Sequence, residues 1–355
     1  MTRKQIGLWV LFFSMALVAI TMAKRPNSRE ISDKIKPAKG TAIIVTGAAA
    51  KIAQEAALLQ SLYERGELND VVFISGASSG ALNAIMLNAV LEKKLTWQQY
   101  IDIFADIKND DIFRIDKKGL PVSNEPLRQL LQEVLVNRLG YKTLADLPIP
   151  TAISVVSLRP SPLNDGTYRF CNRKINRESD SSLNLVDVLM ASTAYPLVFP
   201  PARINGIKTL PDIPYYDGGI GDDRVPFQAL IDFENYRKQP VERVIIISRK
   251  RDADMTLAQE LKPFGYELKA KGNNNLSPDV LTSMGFWRRL EHLNKRYPEL
   301  ADKTWIFVPD YDYSFPMFDF NNLKEQYELT YRWAQSNSPV KLNEFLKRKP
   351  KLIKP

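Results

Sequence analysis

The stretch that decides the fold class is residues 71–80, which read VVFISGASSG. Its apolar, β-branched start predicts a buried strand, and the residues after it favour a helix. Between them lies a G-x-S-x-G pattern centred on Ser78, in the strand–turn–helix setting that exposes a nucleophilic serine. Gly76 and Gly80 indicate a turn too tight for side chains on either side of Ser78. The alternative is a Gly/Ser turn that only packs a helix against a strand.

The sequence on both sides of this stretch alternates between short apolar strands and helices. Strands are predicted at residues 41–45 (TAIIV), 71–75, 153–158, 244–248 (VIIIS) and 305–308 (WIFV), and helices at 48–64, 81–91 and 325–346, the last interrupted by Pro339. This alternation implies an α/β fold with a mostly parallel sheet covered on both faces. Residues 261–279, which contain KGNNNLSP, are predicted to form a mobile surface loop.

The N-terminus has the pattern of an export signal. Arg3 and Lys4 precede an uncharged apolar run over residues 8–23, which ends in Thr-Met-Ala. This predicts a cleaved signal peptide over residues 1–23, with an uncleaved membrane anchor as the alternative. Residues 24–40 are polar and are predicted to be a linker. The folded part would then lie outside the cytosol, whether periplasmic, secreted or membrane-anchored.

Composition excludes several classes of protein. The 355 residues are 45% hydrophobic and 25% charged, ordinary values for a globular protein with a real core. The single cysteine, Cys171, and the single histidine, His292, exclude an intramolecular disulfide, a thiolate zinc site and a multi-histidine metal site. No metal or other cofactor is therefore predicted. The net charge of +9 favours anionic surfaces, but no basic-aromatic motif indicates nucleic-acid binding.

A second candidate site joins the first predicted strand to the first helix. Its small residues would let backbone N–H groups approach an oxyanion or a phosphate. The predicted oxyanion or substrate-binding residues are Gly47, Ala48, Ala49, Ala50 and Lys51. Taken alone the segment is also compatible with an ordinary turn before an alanine-rich helix, and Lys51 with a solvated charge.

A third candidate site is an aspartate on a tight turn. Asp217 follows two tyrosines and precedes Gly218 and Gly219. Because a nucleophilic serine needs a base within hydrogen-bond reach, Asp217 is the predicted partner of Ser78. An Asp-Gly turn between strands is the alternative. The nearby acids at positions 222 and 223 are predicted to be solvated.

The three sites together, in this order, resemble the patatin-like phospholipases. Residues 124–127 (NEPL) and 186–201 (VDVLMASTAYPLVFPP) resemble the segments between the family's motifs. The resemblance covers about residues 41–226. It implies a patatin-like three-layer sandwich over residues 41–355, whose part after 227 carries little of the pattern.

The resemblance implies a lipid acyl hydrolase of the phospholipase or lysophospholipase type. Ser78 would attack an ester carbonyl, Asp217 would accept its proton, and water would hydrolyse the acyl-enzyme. The substrate would be a phospholipid or another lipid ester, with no cofactor. The basic charge and the aromatic segment 314–320 (SFPMFDF) predict a peripheral contact with an anionic membrane.

Departures from the family pattern keep two alternatives open. Ala48, Ala49 and Ile52 stand where the family favours glycine, which would strain a loop that needs positive φ. Acids in residues 220–226 also replace the family's usual asparagine before a proline. One alternative is a catalytically weak binding or scaffold protein at the cell envelope. The other is a Ser-Asp-His triad esterase using His292, although that residue lies in a predicted amphipathic helix (RRLEHLNKRY).

Overall fold

A central sheet with helices on both faces organises the protein in a computed structural model that describes residues 38–116, 119–157, 166–207, 213–251, 255–266 and 277–349. The predicted signal or anchor over residues 1–23 lies outside the described residues, as does the predicted linker up to residue 37. The last three residues of that linker, 38–40, belong to the first strand instead. In the described part of the chain, no helix is both long enough and apolar enough to cross a membrane.

The sheet has five parallel strands at its centre and antiparallel strands at its edges. The strands are β1 (Ala38–Val45), β2 (Val71–Ala77), β3 (Thr151–Val156), β4 (Thr167–Cys171), β5 (Tyr216–Asp217), β6 (Val241–Ile247), β7 (Thr304–Phe307) and β8 (Val340–Lys341). Their order is β4-β3-β2-β1-β6-β7-β8, with β5 beside β3. Strands β3, β2, β1, β6 and β7 run parallel, while β4, β5 and β8 are antiparallel to their neighbours. The prediction of a mostly parallel sheet is confirmed.

Helices fill the connections between these strands. They are α1 (Ile52–Glu64), α2 (Ser79–Leu91), α3 (Trp97–Ala105), α4 (Asn109–Ile112), α5 (Glu125–Leu131), α6 (Leu185–Ser192), α7 (Gln228–Arg237), α8 (Leu257–Leu261), α9 (Pro278–Arg296), α10 (Pro298–Asp302), α11 (Leu323–Gln335) and α12 (Leu342–Leu346). A single turn of 3-10 helix, Ala49–Lys51, leads into α1, and α5 continues as a π-helix over Gln132–Arg138.

Two hydrophobic cores lie on opposite faces of the sheet and make the fold three-layered. Along β1, Ile43 and Val45 belong to one core, which includes side chains of α1, α2, α6 and α11. Their neighbours Ala42 and Ile44 belong to the other core, with side chains of α7, α9 and α12. Because successive side chains of a strand point to opposite faces, a strand buried on both sides must be apolar throughout. This explains the continuous apolar runs in the sequence.

The end of the chain differs from the predicted closing helix. Residues 325–346 form most of α11, the short edge strand β8 and the helix α12. Pro339 lies just before β8, where it has no N–H for a helical hydrogen bond. Strand β8 instead pairs with β7.

The predicted surface loop over residues 261–279 is wrong at both ends. Phe264 is buried within a 3-10 turn, and Asp279 is fully buried in the first turn of α9. Residues 267–276 lie outside the described part of the chain. The polar composition of the segment gives no sign that Asp279 is buried, because its burial depends on cations from distant parts of the sequence.

Candidate active site

Ser78 occupies the sharp turn between β2 and α2. Its backbone has φ +57° and ψ −134°, a region that L-residues rarely adopt. The side chain is nearly buried, and its Oγ donates a hydrogen bond of 2.5 Å to Oδ2 of Asp217. The structure therefore brings together the predicted nucleophile and the predicted base, which are 139 residues apart in sequence.

The two glycines around Ser78 are required by close backbone approaches. A Cβ at Gly76 would lie 2.6 Å from the Gly80 carbonyl oxygen. A Cβ at Gly80 would lie 2.2 Å from the carbonyl oxygen of Thr46, at the end of β1. The G-x-S-x-G pattern thus arises because the turn packs against the neighbouring strand with no room for a side chain.

Asp217 is held by backbone contacts at the end of β5. Gly219 N–H donates to its Oδ1 at 2.7 Å, while β5 pairs with β3. Gly218 is needed there, since a Cβ would lie 2.1 Å from the Ser154 carbonyl oxygen. Burial raises the pKa of Asp217 to about 7, against the lowering effect of the hydrogen bonds from Ser78 and Gly219. Such a pKa suits a general base at neutral pH.

A buried serine that sequence analysis missed supports the turn. Ser192, the last residue of α6, accepts the Ser78 N–H at 2.9 Å and donates to the Ser154 carbonyl oxygen at 2.8 Å. It therefore ties the backbone of Ser78 to β3. Its only sequence signal is a small polar residue at the end of a largely apolar helix.

The predicted oxyanion loop lies directly beside Ser78, but three of its five amides already have acceptors, among them the Lys51 N–H, which donates to the Ala48 carbonyl oxygen at 2.9 Å. A Cβ at Gly47 would lie 3.0 Å from the Ser78 Cβ. Ala48 N–H donates to Ser79 Oγ at 2.8 Å, and Ala50 N–H to the Met317 carbonyl oxygen at 2.6 Å. Gly47 and Ala49, the other small residues of the loop, line a pocket that Ser78 also lines.

Lys51 is a buried ion-pair partner, so the view of it as a solvated charge is wrong. It is 1% exposed, and its Nζ lies 3.3 Å from Oδ1 of Asp279. The same oxygen lies 2.5 Å from Nη1 of Arg249. Burial raises the pKa of Asp279, but the two cations outweigh this effect and lower the pKa to about 2. These three residues, which are far apart in sequence, anchor the loop to α9.

Asp223 is also buried, contrary to its predicted solvation. It is fully buried, and its Oδ2 lies 2.7 Å from Nε of Arg169 on β4 and accepts a hydrogen bond of 2.7 Å from Ser154. Asp222 is partly buried. A buried carboxylate requires such partners, and the arginine stands 54 residues earlier in the chain.

Two pockets meet at the serine. One is an apolar cavity of about 110 Å³, with Leu82, Met86, Ile103, Leu127, Val134 and Phe318 among its lining residues. The other is smaller and is lined in part by Arg224, Arg251 and Gly219. Four residues line both: Ala49, Ser78, Tyr195 and Asp217. An ester at Ser78 would thus have an apolar space on one side and a charged space on the other.

The aromatic segment 314–320 belongs to the interior. Phe315, Met317, Phe318 and Phe320 are all buried, and two of them line the apolar cavity. The prediction that these side chains face a membrane is therefore wrong. Their apolar character serves the cavity wall and the core.

His292 lies on α9, as the amphipathic pattern predicts. Its exposed ring is near the rings of Phe227 and Tyr297, with centroid distances of 6.4 and 6.0 Å. Phe227 belongs to the core on the sheet face opposite the apolar cavity. The histidine therefore packs along a helix on the other side of the sheet from that cavity.

Ala49 carries the strain expected from the loop's missing glycine, since its φ is +47°. We expect Ala49→Gly to raise the free energy of unfolding by about 1 kcal/mol, because glycine adopts positive φ without steric cost. Urea unfolding measures this. The matched control, Ala50→Gly, lies outside the positive-φ region and should lower stability by about 0.5–1 kcal/mol. Equal destabilisation by both changes would contradict the expectation.

One family model and several solved structures are similar to this chain. The family model described as patatin-like phospholipase matches residues 43–231. Among solved structures, human GIVD cytosolic phospholipase A2 is 9% identical, with a TM-score of 0.44, over 98% of this chain and 64% of that one. VipD from Legionella pneumophila is 12% identical, with a TM-score of 0.33, over 91% and 73%. The chain thus spans about two thirds to three quarters of their length. A search of curated proteins finds no significant match.

Proposed function

We propose, because this chain belongs to the patatin-like phospholipase family, that it hydrolyses carboxylic esters of lipids with Ser78 and Asp217. The observation that carries the proposal is the 2.5 Å hydrogen bond between Ser78 Oγ and Asp217 Oδ2, two residues that line an apolar cavity. The substrates are phospholipids, lysophospholipids or other lipid esters.

The reaction follows from the two side chains. Ser78 Oγ attacks the ester carbonyl carbon while its proton passes to Asp217 Oδ2. The tetrahedral intermediate collapses to an acyl-serine, and the leaving alcohol takes the proton from Asp217. Water then attacks the acyl-serine, with Asp217 again accepting a proton. As this second intermediate collapses, the fatty acid is released and Ser78 Oγ takes the proton back from Asp217. No imidazole is required at any step.

Backbone amides would stabilise the negative charge on the carbonyl oxygen. Ser78 lies at the N-terminus of α2, a 13-residue helix whose positive end favours negative charge. The amides of Gly47 and Ala49 come from the neighbouring loop, which contacts Ser78. These groups are fixed by the fold, so they need no reorganisation as charge develops.

The apolar cavity supports a lipid substrate over a small polar ester. It is lined by aliphatic and aromatic side chains of α2, α3 and α5, and it begins at Ser78. An acyl chain placed there would bury its methylenes at about 0.8 kcal/mol each relative to water. Binding energy of this kind orients the ester carbonyl against the serine.

One observation favours the alternative function, a catalytically weak binding or scaffold protein at the cell envelope. The Ala48 amide already donates to Ser79 Oγ, so it is engaged before any oxyanion forms. Loss of a single oxyanion donor can cost about 10²–10³-fold in rate. The triad esterase with His292 has no comparable support, since that ring packs against Phe227.

The proposal is tested by measuring the release of free fatty acid. The purified full chain is incubated with lysophosphatidylcholine, phosphatidylcholine or a monoacylglycerol. Labelling by a fluorophosphonate probe tests the nucleophile independently. Release from at least one lipid together with labelling at Ser78 is the expected result. A folded protein that cleaves none of the three and takes up no probe would instead be the binding or scaffold protein.

We expect kcat/KM for a neutral soluble ester to rise tenfold per pH unit below about pH 7 and to level off above it. The base form of Asp217 is the carboxylate, and its pKa of about 7 means that this form disappears as the pH falls through that value. Initial rates between about pH 5 and pH 9 measure the profile. A profile that is flat, or that falls with rising pH in this interval, would contradict Asp217 as the base.

Export of the protein from the cytosol remains a prediction and is part of the proposal. It rests on the pattern of residues 1–23 and not on the described residues. N-terminal sequencing of the protein recovered from separated cell fractions would test it.

A further inference from the structure

The smaller pocket beside Ser78 is lined by two buried arginines. Arg224 follows the Asp217 turn and is 8% exposed, and Arg251 follows β6 and is 5% exposed. Both share this pocket with Ser78 and Asp217. Their position places two cationic groups next to the reacting atoms, on the side away from the apolar cavity.

Neither guanidinium makes an ion pair within the described part of the chain. Nη1 of Arg224 donates to the Gly221 carbonyl oxygen at 3.0 Å. Arg251 donates to the hydroxyls of Ser248 and Thr46 and, at 3.0 Å, to the Gly47 carbonyl oxygen. Buried charges without a counter-ion cost several kcal/mol, so an arrangement like this is typical of a site that receives an anion.

The acids near the two arginines offset their charge only from a distance, as Asp222 does for Arg224. Burial raises the pKa of Glu55, which lies near Arg251, to about 8, so that this carboxyl is largely neutral at pH 7. Burial similarly lowers the pKa of Arg224 to about 10, which still leaves it charged. The nearby carboxylate of Asp279 already serves Lys51 and Arg249. Burial also lowers the pKa of Arg251, against the raising effect of Glu55. An anion bound in the pocket would supply the direct ion-pair partner that neither guanidinium has within the described part of the chain.

Adjacent residues of α9 hold the two arginines in place. A Cβ at Gly285 would lie 2.1 Å from Cδ and 2.4 Å from Nε of Arg224, so the glycine makes room for that side chain. The next residue, Phe286, lies under the guanidinium of Arg251, with 4.8 Å from Cζ to the ring centroid. Because both side chains are packed in advance, little conformational entropy would be lost when an anion binds.

We propose that Arg224 and Arg251 bind the phosphodiester group of a phospholipid or lysophospholipid whose acyl ester lies at Ser78. This inference rests on the proposed hydrolase function. The acyl chain enters the apolar cavity, and the phosphate, a few bonds from the ester, reaches the arginine pocket. Guanidinium groups match phosphate oxygens in geometry and charge. The pocket thus selects phosphate-bearing esters over neutral glycerides.

The two arginines differ in what else they do. Arg251 donates to Gly47, so it also positions the loop against Ser78. Arg224 makes no hydrogen bond to that loop among the described residues and is the cleaner probe of the anion site. The experiment is therefore built on Arg224.

The first test compares lysophosphatidylcholine with a monoacylglycerol of the same acyl chain. We expect Arg224→Gln to lower kcat/KM for the lysophospholipid by about 10–100-fold, the range for hydrogen bonds to charged groups, and to lower it much less for the monoacylglycerol. Arg224→Lys should recover part of the loss. The control is Arg138→Gln, an exposed arginine that should change neither value. An equal loss on both substrates, or no loss on either, would overturn the proposal.

The second test measures binding without turnover. Calorimetry with the Ser78→Ala protein compares glycerophosphocholine, inorganic phosphate and glycerol. Binding of glycerophosphocholine that Arg224→Gln abolishes supports the subsite even if no lipid is cleaved, in which case only the hydrolase function fails. Tighter binding of inorganic phosphate than of glycerophosphocholine would overturn the subsite in favour of a free-phosphate site. Lipid cleavage with no discrimination by Arg224 would also overturn it but leave the hydrolase function standing.

Discussion

Ser78→Ala is expected to lower kcat/KM for ester hydrolysis by at least about 10³-fold, because it removes the only group that forms the acyl-enzyme. The neighbouring hydroxyls have other partners and cannot replace it. Ser79 Oγ accepts the Ala48 N–H, and Ser75 Oγ donates to the Pro226 carbonyl oxygen at 2.8 Å. Neither therefore lies free beside Asp217. Initial rates with a nitrophenyl ester and with lysophosphatidylcholine measure the loss.

A matched control separates chemistry from folding. Ser182→Ala removes an exposed hydroxyl that donates to Asp180 in its own turn, the one side-chain hydrogen bond it makes to described residues, and should leave the rate unchanged. The parent and Ser182→Ala should both be labelled by a fluorophosphonate, and Ser78→Ala should not. If the Ser78→Ala protein kept both its activity and its labelling, the nucleophile would have to be another residue.

Asp217→Asn should lower kcat/KM by about 10²–10⁴-fold, the usual contribution of a general base. The amide can still accept a hydrogen bond from Ser78 but cannot take up its proton. His292→Ala should leave kcat/KM within about twofold of the parent, since a helix residue packed against Phe227 makes no contact with the dyad. The two variants are assayed side by side on the same ester. Loss of activity in a folded His292→Ala protein would instead indicate a triad hydrolase.

The stability of Asp217→Asn provides an independent readout. Burial raises the folded-state pKa of Asp217 to about 7, above its ordinary value of 3.8. Ionisation of Asp217 therefore lowers the free energy of unfolding. This loss is absent below about pH 4, grows between about pH 4 and pH 7, and is complete above about pH 7. The asparagine variant should accordingly melt at a higher temperature than the parent at pH 8, and the difference should shrink as the pH falls. A lower melting temperature at pH 8 would mean that the rate loss reports damage to the fold.

Ser192 and the buried ion pairs show where prediction from sequence stops. Ser192 holds the backbone of Ser78 through a hydrogen bond between residues 114 apart in sequence, and Lys51 contacts Asp279, 228 residues away. Residue type gives no sign of such partners, because a lysine or an aspartate looks the same whether solvated or paired. For that reason the sequence predicts Asp223 in solvent and leaves a solvated charge open as the alternative for Lys51.

The sequence by itself determined the strand–turn–helix around Ser78, the layered sheet and the order of the motifs. These depend on hydrophobic periodicity and on the steric limits of a tight turn, both of which act over about ten residues. Only the tertiary structure decided that Ala49 would take a positive φ, that the 314–320 aromatics would line a cavity, and that Arg224 and Arg251 would face Ser78. Those features arise where segments that are distant in sequence meet at one edge of the sheet. Burial and charge pairing depend on which side chains meet there, and only the folded chain determines that.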